Sequence, residues 1–327
     1  MKVKIVGTGS AVPEKCVTND DLSQWMDTSD EWIKSRTGIE TRHLAVEETT
    51  TGMAVEAAKR ALASAHIEAE ELDLIIAATL TPDRLFPNLA CEVQSALGAC
   101  RAVAFDVSAA CSGFLYAVDI ARRYLEAGGS RRALVIGAET LSRIMDWSDR
   151  STCVLFGDGA GAAVLEADEA EEHAGILSTV LGTDGAGGMV LRCDNRRNHN
   201  PYVNGDTALS YVSMNGQEVY KFAVRTVPKV IAGAVEAAGL SMDEIDFFLL
   251  HQANLRIIEA VAKRLHQPME KFPTNLQEYG NISSASVPIL LDNVNNHGMI
   301  GEGSKIVLAG FGAGLTWGAA VLRWQAV

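Results

Sequence analysis

Ala65-His66-Ile67-Glu68-Ala69-Glu70-Glu71-Leu72-Asp73-Leu74-Ile75-Ile76 is echoed further along the chain by Ala238-Gly239-Leu240-Ser241-Met242-Asp243-Glu244-Ile245-Asp246-Phe247-Phe248-Leu249. Each stretch reads as a helix end, an acidic turn and a buried strand. A second echo pairs Ala160-Gly161-Ala162-Ala163-Val164-Leu165 with Trp317-Gly318-Ala319-Ala320-Val321-Leu322, each read as a glycine turn entering a buried strand. Helix ends of this composition are common, but the echoes keep the same order, which a duplicated chain would leave behind. Apolar strands at Leu74–Ala78, 102–107, 133–136, Phe247–Leu250 and 306–308 alternate with amphipathic helical stretches. That alternation predicts mixed or parallel sheets covered by helices. The expectation is an internally duplicated α/β chain with its join near the charged run at 168–172, giving halves 1–170 and 171–327.

A chain of 327 residues with 48% hydrophobic and 21% charged residues can bury a core of that size, and it carries no low-complexity block. Its formal net charge of -13 argues against general binding to nucleic acid, which needs a basic surface. No stretch approaches a membrane span, and the apolar start Met1-Lys2-Val3-Lys4-Ile5-Val6 is too short for a signal peptide, so a cytoplasmic address is expected. The cysteines Cys16, Cys91, Cys100, Cys111, Cys153 and Cys193 lack CxxC spacing, and the histidines form neither HExxH nor a cluster. Neither a disulfide framework nor a bound metal is expected.

Cys111 stands apart from the other thiols. The β-branched, apolar run Ala102-Val103-Ala104-Phe105-Asp106-Val107 precedes it, and Phe114, Leu115, Val118, Ala121 and Leu125 follow at helical spacing. A thiol where a strand hands over to a helix faces unpaired N–H groups and the positive end of the helix dipole, which should lower its pKa and make it a nucleophile. His251 ends the buried strand Phe247–Leu250, and carboxyl ends of strands are where α/β sites assemble; a core histidine bonded to a backbone carbonyl is the competing reading. Asn281, in Tyr279-Gly280-Asn281-Ile282-Ser283-Ser284, reads by itself as a turn and helix cap. Phosphate loops are not indicated. Pro13 would break the helix that a dinucleotide fingerprint needs after Gly7 and Gly9, and neither Gly157-Asp158-Gly159-Ala160-Gly161, read as a structural turn, nor Gly310-Phe311-Gly312-Ala313-Gly314 ends in Lys-Ser/Thr.

Taken together, Ser108-Ala109-Ala110-Cys111-Ser112-Gly113-Phe114, His251-Gln252-Ala253-Asn254-Leu255-Arg256-Ile257 and Gly280-Asn281 before Ser-Ala-Ser resemble the catalytic motifs of β-ketoacyl-acyl-carrier-protein synthase III. The resemblance continues through Thr28-Ser29-Asp30-Glu31-Trp32-Ile33, Arg36-Thr37-Gly38-Ile39, Asp149-Arg150, Phe156-Gly157-Asp158-Gly159-Ala160-Gly161 and Leu315-Thr316-Trp317-Gly318, and so spans nearly the whole chain. It implies a thiolase-like fold of two similar halves in five αβαβα layers, a homodimer, no permanently bound cofactor, and acyl-CoA and malonyl-acyl-carrier protein as substrates.

The resemblance also implies roles. Cys111 would take the acyl group, with His251 and Asn281 donating hydrogen bonds to the charge left by decarboxylation and the backbone N–H groups of Cys111 and Ala313 holding the tetrahedral oxyanion. Relatives usually carry glycine where Ala313 stands, and phenylalanine where Tyr220 stands. Trp32, Arg36 and Arg150 would hold the CoA adenine and phosphates, and Thr28, Gly216, Ala253 and Asn254 would wall the pantetheine tunnel. Phe86, contributed by a second copy, would close the acyl pocket with Leu141, Phe156 and Phe311, favouring a short starter such as acetyl. Lys221, Gln252, Arg256, Lys263 and Arg264 would dock the acidic carrier protein; an ordinary solvated helix face is the alternative. The readings left open are fatty-acid initiation, a same-fold enzyme joining acyl or aroyl groups in secondary metabolism, and a non-catalytic acyl-binding scaffold.

Overall fold

A computed structural model describes residues 2–168, 174–195, 198, 200–203 and 210–325. The expected boundary at 170/171 lies outside the described residues. The first half runs β1 (Lys2–Ala11), β2 (Cys16–Thr18), α1 (Asn19–Ser23), α2 (Asp30–Thr37), β3 (Thr41–His43), α3 (Thr50–Ala65), β4 (Leu74–Ala78), α4 (Leu89–Leu97), β5 (Val103–Val107), α5 (Gly113–Glu126), β6 (Arg132–Thr140) and β7 (Asp158–Asp168). The second runs β8 (Gly175–Thr183), β9 (Leu191–Arg192), β10 (Ser213–Met214), α6 (Gly216–Ala237), β11 (Phe247–Leu250), α7 (Leu255–Leu265), α8 (Leu276–Tyr279), α9 (Ser286–Asn296), β12 (Lys305–Gly312) and β13 (Thr316–Arg323).

Two sheets carry the duplication. The first has the order β1-β7-β6-β4-β5 and the second β11-β12-β13-β8. In each, a parallel pair (β4 with β6, β11 with β12) adjoins an antiparallel strand (β7, β13) that also pairs with the half's first strand (β1, β8). Leu74 lies opposite Ala133 and Phe247 opposite Ile306, so the two sheets share one register. Apolar faces decide the layering. α3 and α4 cover the outer face of the first sheet, α6 covers the outer face of the second with α7 packed beside it in the same apolar cluster, and α5 and α9 lie between the sheets, touching strands of both. This is the five-layered αβαβα order that the resemblance implies.

The glycine segments that the sequence suggests are turns lie inside or against strands. Gly159 and Gly161 belong to β7, and Gly318 to β13. The physical reason is close packing rather than chain reversal: a Cβ on Gly161 would come within 2.7 Å of the Ile289 nitrogen and 2.8 Å of Pro288 in α9. Glycine here lets the central helix rest on the strand backbone.

Candidate active site

Each central helix begins on the same unusual turn. Ala110–Ser112 forms a 3-10 turn before α5, and Ser283–Ala285 forms one before α9. Both enter through a residue with left-handed backbone, Ala110 at φ 47° and Ser283 at φ 45°. Such a backbone is costly for residues with a Cβ and tends to mark functional corners. The counterpart of Cys111 is therefore Ser284. The strand that reaches each corner is also matched: six residues beyond Ala133 stands Glu139, and six beyond Ile306 stands Gly312. A Cβ on Gly312 would meet Cys111 Cβ at 2.9 Å, its nitrogen at 3.0 Å and its Sγ at 3.1 Å, so glycine is required for β12 to lie against the thiol.

Cys111 is buried and lines a cavity of about 940 Å³ together with Leu80, Leu141, Ile144, Met145, Phe156, Ser283 and Ala313. Strand and helix flank it as the sequence suggests, but its expected acidity does not follow. Burial pushes the thiol up to about 12, the nearby Glu139 carboxyl adds to the rise, and Ser283 only partly offsets it. Loss of water around a thiolate outweighs the helix terminus here.

His251 and Asn281 belong to the second half; neither is among the residues that line the cavity, but Asn281 pairs with the cavity residue Phe156, and His251 packs on Phe311, next to Gly312. The His251 backbone N–H donates to Ala309 O in β12 at 2.7 Å, and its ring meets Phe311 edge-on, with centroids 5.4 Å apart. Burial alone holds the imidazole down to about 3, so it is neutral, and its Nδ1 has no partner among the described residues. Asn281 bridges Phe156, the Asn281 N–H donating to Leu155 O and the Gly157 N–H to Asn281 O. Its side-chain Oδ1 accepts the Ser283 N–H at 2.9 Å, a local turn contact rather than a helix cap, since the corner and α9 start at Ile282 and Ala285 without side-chain caps, and its NH2 group has no described acceptor.

The remaining expected residues divide. Arg36 and Arg150 hold their guanidinium groups 4.6 Å and 5.0 Å from the Trp32 ring centroid, with Arg150 also hydrogen-bonded to Asp27 O. Thr28 Oγ1 is buried with no partner among the described residues. Gly216 opens α6, and Asn254 caps α7 while its Nδ2 donates to Arg36 O at 3.0 Å. Ala253 sits half-buried between β11 and α7, and Tyr220 stays partly exposed. Lys221, Arg256, Lys263 and Arg264 are exposed; Lys221 pairs with Glu218, and Arg256 donates to Ser35 O at 2.6 Å.

Two expectations fail. Gln252 cannot meet a partner: it is fully buried, its Nε2 donates to Leu250 O, and its Oε1 accepts the N–H groups of Asn275 and Leu276. Phe311 stands behind His251 instead of lining the cavity that Leu141 and Phe156 share with Cys111. Phe86 is 85% exposed in the single chain, while its neighbour Leu85 reaches the cavity. Sequence reasoning missed Glu139 and read Ser283 and Ser284 only as part of the Asn281 turn; it is the register of β6 and β12 in the folded sheets that brings Glu139 out.

A duplicated five-layered core with a buried cysteine heading one central helix defines a thiolase-like protein. A family model described as 3-Oxoacyl-[acyl-carrier-protein (ACP)] synthase III matches residues 105–185, and one described as its C-terminal part matches 235–324. The beta-ketoacyl-[acyl-carrier-protein] synthase III of Clostridium acetobutylicum is 48% identical over 98% of both chains, and that of Bacillus pumilus 48% over 99% of both. The solved 3-oxoacyl-[acyl-carrier-protein] synthase III of Aquifex aeolicus superposes with a TM-score of 0.92 at 48% identity, covering 98% of this chain and 100% of its own. The priming beta-ketosynthase of the R1128 polyketide pathway superposes at 0.93 with 36% identity, covering 99% and 97%. This chain belongs to the 3-oxoacyl-[acyl-carrier-protein] synthase III family, whose members are condensing acyltransferases.

Proposed function

We propose that this protein starts fatty acid synthesis by joining an acyl group from acyl-CoA to malonyl-acyl-carrier protein, with release of CoA and carbon dioxide. The observation that carries the reading is the Cys111 corner: a buried thiol heading a central helix, pressed by the bare backbone of Gly312 and opening on an apolar cavity. Cys111 Sγ attacks the acyl-CoA thioester, CoA leaves, and the acyl group stays on the enzyme. Malonyl carrier protein then loses carbon dioxide, which puts negative charge on its thioester oxygen. A neutral imidazole and a primary amide suit that charge as donors. A neutral His251 that carries its proton on Nε2 would donate from that atom, and Asn281 would donate from Nδ2 while its Oδ1 accepts the Ser283 N–H. The carbanion attacks the acyl-cysteine, and the N–H groups of Cys111 and Ala313 receive the oxyanion.

Trp32 with its two guanidinium neighbours suits a flat, phosphorylated nucleotide such as the CoA adenosine moiety. Arg256, Lys263 and Arg264 form a local basic face on a chain of net charge -13, which suits an acidic carrier protein. The secondary-metabolic reading rests on the 36% identity to the priming ketosynthase, below the 48% to the synthase III relatives. Acetyl remains the proposed starter, on the premise that Phe86 of a second copy closes a cavity that in one chain would hold longer groups.

The test is to weigh the protein after incubation with a panel of acyl-CoAs, then to add malonyl carrier protein and look for the β-ketoacyl product. Cys111 should gain one acyl group. His251→Ala should still be acylated but condense about 10²- to 10³-fold more slowly, the cost of losing one oxyanion donor. Arg264→Glu should raise the KM for carrier protein. A protein left unmodified by every donor would leave only the acyl-binding scaffold reading.

A further inference from the structure

Ser112 and Thr316 carry two buried hydroxyls for which the chemistry above has no use. Ser112 follows Cys111 in its corner, and Thr316 is the first residue of β13, so a bond between them joins the two halves. Ser112 Oγ donates to Thr316 Oγ1 at 2.6 Å, and Thr316 Oγ1 stands 2.9 Å from Ala313 O. Ala109 O is within reach of both hydroxyls, 2.8 Å from Ser112 Oγ and 3.0 Å from Thr316 Oγ1, but it already accepts the Ser112 N–H at 3.2 Å. Each hydroxyl has one proton to give. The assignment that serves every acceptor therefore runs from Ser112 to Thr316 and from Thr316 to Ala313 O.

The duplication supplies a comparison within the same molecule. Ser284 is the counterpart of Cys111, which makes Ala285 the counterpart of Ser112. Gly312 lies opposite Thr316 across β12 and β13 as Glu139 lies opposite Gly159 across β6 and β7, which makes Gly159 the counterpart of Thr316. The corner before α9 thus makes the same left-handed entry and the same 3-10 turn with no hydroxyl in either place. Folding such a corner does not require the pair. Of the two corners, only the one that holds the thiol has it.

We infer that Thr316, supported by Ser112, is the positioning residue of the oxyanion hole. This deepens the proposed reaction and rests on it. The two N–H groups that receive the oxyanion belong to Cys111 in one half and Ala313 in the other, so no local run of chain fixes one against the other. Two pins do. Gly312 rests on the Cys111 backbone, where an added Cβ would fall 3.0 Å from the Cys111 nitrogen, and the Thr316 hydroxyl holds Ala313 O. Along the chain the Ala313 N–H lies between those pins. Leu315, two residues on, is fastened separately by paired backbone bonds with Asp184, both 2.8 Å. Oxyanion donors act by standing ready at about 3 Å from the developing charge, and a site left about 1 Å loose by its supports loses that effect. Attack on acyl-CoA and attack of the carbanion on acyl-cysteine both put charge on a carbonyl oxygen, so both steps depend on Thr316.

Three variants of the full chain test this. Thr316→Val keeps the shape and removes the hydroxyl, Thr316→Ser keeps the hydroxyl, and Ser112→Ala copies Ala285 of the other corner. Cys111 is then labelled in two ways: by acyl-CoA, through an oxyanion, and by iodoacetamide, whose saturated carbon forms none. Rapid-quench mass measurement should show acylation at saturating acyl-CoA slowed at least about tenfold in Thr316→Val, short of the 10²- to 10³-fold that loss of a whole donor costs. The half-saturating concentration of acyl-CoA and the rate of alkylation should stay as they are in the unaltered protein, because the lost support serves only the transition state. Thr316→Ser should recover most of the rate, and Ser112→Ala should fall between, since Thr316 keeps its own proton for Ala313 O. Acylation at the normal rate in Thr316→Val overturns the assignment. So does equal slowing of acylation and alkylation, which marks a displaced thiol, or a Thr316→Ser rate no better than that of Thr316→Val, which marks a role for bulk alone. An unaltered protein that iodoacetamide labels but no acyl-CoA does would instead remove the condensing reaction itself.

Discussion

His251 is neutral because of where it is buried. Its ordinary value is 6.5, and burial in this structure brings it to about 3. Between those values the unfolded chain binds a proton that the folded chain refuses. The stability contributed by this group is therefore complete above pH 6.5 and is lost as pH falls toward 3. From pH 7 to pH 5 the loss comes to about 2 kcal/mol. Urea unfolding of the unaltered protein and of His251→Gln at the two values should show the variant without that share of the decline; equal declines would mean that the imidazole titrates normally in the fold. The residue type and its place at a strand end were readable from sequence, and its orphaned Nδ1 was not. The same holds for Cys111, whose position at a strand-to-helix corner the sequence marks but whose high pKa comes from the depth of the cavity and from Glu139, a residue far away in the chain.

At the scale of elements, strands and central helices approach each other more closely than side chains allow. β7 meets α9 at Gly161, where an added Cβ would fall 2.7 Å from the Ile289 nitrogen. Gly161→Ala should therefore cost about 1–3 kcal/mol, as overpacking of a filled core does. Because α9 follows directly on the Ser283 corner, condensation should weaken as well. Thermal unfolding with an assay at a permissive temperature checks both; an unchanged melting temperature would mean that the helix moves aside freely. The strands Leu74–Ala78 and Phe247–Leu250 were legible to the residue, because short apolar runs bounded by acidic turns leave little choice. The glycine runs were misread as turns, since glycine serves chain reversal and close approach alike. Only the neighbouring helix tells which.

For the whole molecule, the exposed pair Leu85 and Phe86, 77% and 85% open to solvent, is more apolar surface than an isolated loop needs. If a second copy covers it, sedimentation should give twice the chain mass, and Phe86→Arg should shift the particle toward the monomer and alter which acyl-CoAs are accepted. A monomer at micromolar concentration would remove Phe86 from the pocket. The sequence by itself determined the duplication, the α/β class, the strand-ending histidine and the cysteine corner, because these rest on local periodicity and on order along the chain. The tertiary structure decided what those residues are chemically. It buried Gln252 away from any partner, moved Phe311 behind His251, raised the Cys111 thiol, and set Glu139 against one corner where the other has Gly312. Burial and cross-sheet neighbours are sums over residues distant in sequence, and no local pattern contains them.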